Sequence, residues 1–217
     1  MGQRTHLVIV TEDKTTNTGK AVIYYHPWGI GRIMPATLMS MIPNVKFGLG
    51  DNFAMPAIDF VEIDKLHLGY VVEHEYQYRN GKLRFDDDKA AAPENISDWK
   101  DAKIAGKIMK RFDNNNGCLF IFVTIDNANF SYKTKFELAW MLGWEDAYYS
   151  EIPDRHPENK KYGAPFSKWL TTNQWMSLDI NSHWWKDDKE FKNLFNTFLA
   201  YFNVTPLNNS KNRRNAA

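Results

Sequence analysis

One cysteine, Cys118, among 217 residues leaves no partner for an internal disulfide, which suits a reducing compartment. Charge of one sign is missing too. With 27 basic and 26 acidic residues the formal net charge is +1, so no global field draws the chain to DNA, RNA or an anionic membrane. The longest purely apolar run, Cys118 to Val123, falls far short of the roughly 20 residues a membrane-spanning helix needs, and the N-terminal residues lack the apolar core of a signal peptide. The opening "MGQRTH" misses the myristoylation pattern because His6 stands where Ser or Thr is required. A cytoplasmic location, with no membrane and no strong signal for a nucleic-acid partner, is the resulting expectation.

The common chemical signatures are absent as well. There is no G-x-x-x-x-G-K-[ST], G-x-G-x-x-G, G-x-S-x-G, H-E-x-x-H or paired C-x-x-C. Asp126 to Glu137 has the length of a calcium loop, but Ala128, Phe130 and Ser131 occupy positions that need oxygen ligands or the turn glycine. The run Asp86, Asp87, Asp88 reads as a solvated turn, and no metal or cofactor is expected.

What is abundant is aromatic. Rings make up 15% of the chain, within an ordinary 43% hydrophobic and 24% charged composition. The length favours one domain, over 1–203, followed by a tail at 204–217. Alternation in "LVIVT" and "KAVIYYH" around the polar "EDKTTNTG" predicts a hairpin, and Asn80-Gly81 inside "YVVEHEYQYRNGKLRF" predicts a type I′ turn. A helix capped by Ser97 is expected to bury Trp99, Ala102, Gly106, Met109 and Phe112. "CLFIFVTI" reads as a central strand. Lys135 to Tyr148 reads as a helix apolar nearly all round, and a last amphipathic helix runs from Lys189 to about Asn203. The fold class expected is α+β: a mixed or antiparallel sheet built from hairpins, with several packed helices.

Four segments carry the candidate chemistry. In "YYHPWGIGRIMPATLMSMIP", His26 closes a strand, Gly29 and Gly31 permit a sharp turn, and Pro35 opens a short helix without a capping side chain. Its unpaired N–H groups, with Arg32 and His26, form a candidate anion cradle over 26–38. In "VVEHEYQY" a period of two puts Glu73 and Glu75 on one face, against solvent, and His74 on the other, between tyrosines. Cys118 opens an apolar strand and reads as core. Trp169, Trp175, Trp184 and Trp185 crowd one polar-interspersed stretch that would suit a partner surface.

The leading reading is a domain that binds an anionic small molecule, phosphate or nucleotide-like, through His26, Gly29, Gly31 and Arg32. An enzymatic version would let Arg32 hold charge while His26, Glu73 or Glu75 moves a proton. The alternative is a non-enzymatic assembly protein, such as a homo-oligomer, that uses the tryptophans of 169–185.

Overall fold

The computed structural model describes residues 4–26, 71–84, 92–114, 117–128, 131–143, 164–171, 174 and 205–206. They form a seven-stranded mixed sheet from β1 (Thr5–Asp13), β2 (Thr18–His26), β3 (Val71–Arg79), β4 (Lys82–Leu83), β5 (Cys118–Ala128), β6 (Ser131–Met141) and β7 (Thr205–Pro206). The spatial order is β4-β3-β2-β1-β5-β6-β7. Neighbours run antiparallel except for β1 with β5 and β6 with β7. The expected turn residues do their work: Asn80 (φ 53°) and Gly81 (φ 71°) take the left-handed angles that a two-residue hairpin requires.

The expectation of several packed helices is overturned. Among the described residues there is one α-helix, α1 (Ala102–Met109), entered through the 3-10 turn Ile96–Lys100. The largest error is Lys135 to Tyr148, whose residues through Met141 belong to β6. Leu138 to Leu142 are apolar and buried on both faces, and a short run of that kind cannot be told from a buried helix by periodicity, although Lys135, Phe136, Glu137 and Leu138, which lead into it, alternate as a strand does. Pairing decides it, because β6 matches β5 residue for residue from Cys118↔Met141 to Ala128↔Ser131. The short helix after Pro35 and the one after Lys189 fall outside the described residues. Ser97 is not the cap of α1 either. Asp101 is, accepting hydrogen bonds from the backbone N–H groups of Lys103 and Ile104.

The 3-10 turn and α1 lie on one face of the sheet, over Val8, Val10, Ala21, Ile23, Phe120 and Phe122. Trp99 fills the centre, donating its indole N–H to the Tyr78 hydroxyl at 2.8 Å, which in turn donates to the Pro93 carbonyl at 3.2 Å. The other face of the central strands, with Leu7, Ile9, Leu119, Ile121 and Trp140, is also buried. No helix among the described residues is long and apolar enough to cross a membrane.

An ion pair pins the 3-10 turn to the sheet. Glu137 of β6 accepts from Lys100 and lies 3.5 Å from the Lys135 ammonium. Burial pushes the Glu137 carboxyl up, but the hydrogen bond and charge of Lys100, joined by Lys135, outweigh it and hold the group below its ordinary value of 4.5. A carboxyl lowered on folding stabilises the fold above its unfolded value and loses that contribution as pH falls through the folded one. Glu137→Gln should therefore cost about 1.5–3 kcal/mol at neutral pH, in the range for hydrogen bonds to charged groups. The gap between wild type and variant should close as pH drops below 4.5. Urea midpoints of both proteins over acid pH provide the check, and a gap that stays constant contradicts it.

Candidate functional site

The polar groups gather at the two ends of the sheet. At the end where β1 and β5 begin, His6 is fully buried, with its ring against Tyr25 and Phe112. The backbone N–H of Gly117 meets Asn114 Oδ1 at 2.8 Å, which fixes the orientation of the Asn114 amide. Its Nδ2 group therefore donates to His6 Nδ1 at 2.7 Å and to the Gly117 carbonyl at 2.9 Å, with Cys118 Sγ 3.1 Å away. Since Nδ1 accepts, the ring proton sits on Nε2 and is donated to Glu73 Oε2 at 2.8 Å.

Glu73 reaches His6 because the β2–β3 register slips there. Ile23 pairs with His74 and Tyr24 with Val72, leaving Glu73 as the extra residue of a bulge. Bulges re-aim side chains, and this one brings the Glu73 carboxylate onto the face of the sheet that α1 covers. Glu73 and Glu75 are thus not a carboxylate pair on one face, which corrects the simple alternation. Both nitrogens of His6 are engaged, so the network ties β1, β3 and the 114–117 turn together and offers no free base. His74 stacks on Tyr76 and meets Phe112 edge-on, among the core rings.

The hairpin end of the sheet is built differently. Asp13 Oδ1 accepts from the N–H groups of Thr15 and Thr16 at 2.8 and 3.2 Å, shaping the β1–β2 turn. That turn is tied to the β3–β4 turn: Asn80 N–H donates to the Asn17 carbonyl at 2.7 Å, and Asn17 Nδ2 to Asn80 Oδ1 at 3.2 Å. Between them lies a cleft of about 470 Å³, lined by Thr16, Thr18, Lys20, Glu75, Arg79 and Arg84, with Gly19, Gln77 and Tyr78.

Its charge is lopsided. Among the described residues, Lys20, Arg79 and Arg84 face a single carboxylate, an excess of two positive charges in a chain whose net charge is +1. Glu75 is already occupied, with Oε2 at 2.9 Å from the Lys20 ammonium and Oε1 accepting from Gln77 at 3.3 Å. Among the described residues neither Arg79 nor Arg84 has an ion-pair partner.

Of the residues singled out from sequence, His26 is the half-buried last residue of β2, paired with Thr5. Gly29, Gly31 and Arg32 lie outside the described residues, as do Trp175, Trp184 and Trp185. Trp169 is only 4% exposed, packs edge-on against Phe120 and donates its indole N–H to the Lys100 carbonyl at 3.0 Å, so its ring is part of this chain's own core. Cys118 is buried.

The Arg79 and Arg84 cleft escaped the sequence reading because its cations come from separate strands. The one clue was the Asn-Gly turn, which brings the residues on either side of it together. Among the described residues no three His, Cys, Asp or Glu side chains gather as a metal site would need. No protein-family model, no curated protein and no solved structure matches this chain.

Proposed function

We propose that this chain binds an anionic small molecule, seated in the hairpin-end cleft. The reading is carried by one observation: Arg79 and Arg84 line a cleft in which the only carboxylate among the described residues, Glu75, is already engaged by Lys20 and Gln77. A guanidinium is permanently charged and presents paired donors that match the oxygens of a phosphate or carboxylate. The cleft volume of about 470 Å³ is that of a small-molecule site. Its walls are set before a ligand arrives, because the two turns beside it are bonded to each other through Asn17 and Asn80. That arrangement lowers the ordering cost of binding.

Thermal unfolding against inorganic anions, phosphosugars and nucleotides tests this. A ligand at about 100 times its Kd stabilises by roughly 2.7 kcal/mol, a rise of roughly 5–11 °C for a chain of this size. At least one anion should produce that rise in wild type and lose it in the Arg79→Gln/Arg84→Gln double variant, with salt weakening the effect. A rise that survives the double variant but vanishes in Arg32→Ala would return the seat to the 26–38 corner. No rise with any anion would sink the reading altogether.

A further inference from the structure

Resting on the anion reading above, we infer that the cleft selects a phosphorylated sugar or polyol, in preference both to bare phosphate and to a nucleotide. The phosphoryl preference follows from the number and origin of the cations in the lining. Lys20 comes from β2, Arg79 from the end of β3 and Arg84 from the residue after β4, so three chain segments each give the cleft one cation. A tetrahedral phosphoryl group offers oxygens in three directions, whereas a planar carboxylate offers two oxygens in one plane. The hydroxyls add a neutral donor. Thr16 Oγ1 and Thr18 Oγ1 lie 2.7 Å apart, and a hydroxyl pair uses one of its two protons internally, leaving the other to point outward.

The rest of the lining suits hydroxyl groups. Glu75 and Gln77 stand side by side on β3, joined by a 3.3 Å bond, with acceptor lone pairs to spare on the carboxylate and on the amide oxygen. A run of sugar hydroxyls, each both donor and acceptor, can bridge such groups. A nucleobase finds nothing equivalent. Among the described residues the single aromatic ring in the lining is Tyr78, which is 2% exposed and has its hydroxyl committed to Pro93 and Trp99, so it offers no open face for stacking. The volume of about 470 Å³ leaves space beyond a lone phosphate.

Inorganic phosphate, ribose phosphate and adenosine monophosphate form a series in which first a sugar and then a base is added to the same anion. Titration calorimetry of the full chain should show ribose phosphate binding about tenfold tighter than phosphate, the yield of one or two hydrogen bonds at about 1 kcal/mol each. Adenine should add no more than about twofold. Gln77→Ala should lower the ratio of ribose phosphate affinity to phosphate affinity towards one, and Arg79→Gln should weaken all three ligands. Equal affinities for phosphate and ribose phosphate, or adenosine monophosphate tightest of the three, would overturn the selectivity and leave the anion site standing. Tight binding of other anions but of none of these three would overturn the phosphoryl assignment alone. If no anion binds to wild type, both inferences fall together.

Discussion

Asn114→Ala is expected to destabilise the chain by about 2–6 kcal/mol, because it strands two buried groups, at about 1–3 kcal/mol each. These are the Gly117 N–H, which donates to Asn114 Oδ1, and His6 Nδ1, which accepts from Asn114 Nδ2. The Gly117 carbonyl is spared, since the backbone N–H of His6 also reaches it, at 3.3 Å. At about 2–4 °C per kcal/mol the melting temperature should fall by roughly 4–24 °C. Nitrogen NMR of the His6 ring supplies a readout that global stability does not: wild type should show protonated Nε2 and bare Nδ1. A ring protonated at Nδ1 in wild type, or a melting change under about 2 °C in the variant, would show that this network does not hold the sheet end together.

The second large effect runs against helix propensity. Gly106 sits inside α1, where replacing glycine with alanine ordinarily gains about 1 kcal/mol. Here a Cβ at Gly106 would lie 2.0 Å from the Phe166 carbonyl oxygen and 2.8 Å from its carbon. Those are backbone atoms and cannot swing aside. The segment that carries them is held to the sheet by Phe166 N–H on the Leu142 carbonyl and Leu170 N–H on the Trp140 carbonyl, at 3.1 and 2.9 Å. Gly106→Ala should therefore be destabilising by about 1–3 kcal/mol net, the cost typical of overpacking. Lys107→Ala, on the exposed side of the same helix, should change little. Equal urea midpoints for Gly106→Ala and wild type would mean that the Phe166 segment does not rest on α1.

The contrast between these residues shows what a sequence discloses. Asn80-Gly81 specifies its turn locally, through backbone angles that few residues tolerate, and could be read directly. The helix that buries Gly106 and Met109 was legible from spacing, but Trp99 lies in the 3-10 turn before it and the cap was misplaced, because Ser97, Asp98 and Asp101 are all chemically able to cap and only the 3-10 entry puts Asp101 in position. β6 was misread because its alternation up to Leu138 runs into the continuous apolar stretch Ala139 to Leu142, and pairing with β5 is what decides it. The site was hardest. Glu73 reaches His6 through a bulge that shifts register by one residue, and the cationic cleft joins Lys20 to Arg79 and Arg84 across more than one strand. Alternation along one segment contains neither fact.

The parallel pairing of β1 with β5 has a consequence for synthesis. His6 and Cys118 are register partners more than a hundred residues apart. β2 can zip onto β1 as soon as both leave the ribosome, but at about 5–20 residues per second the opposite edge of β1 waits roughly 5–20 s for its partner. During that interval the nascent chain displays the row Leu7, Val8, Ile9, Val10 beside unsatisfied backbone groups, the kind of edge that recruits other strands. The chain is thus most exposed to aggregation midway through its own translation, and slower elongation across the codons before Cys118 would lengthen that exposure.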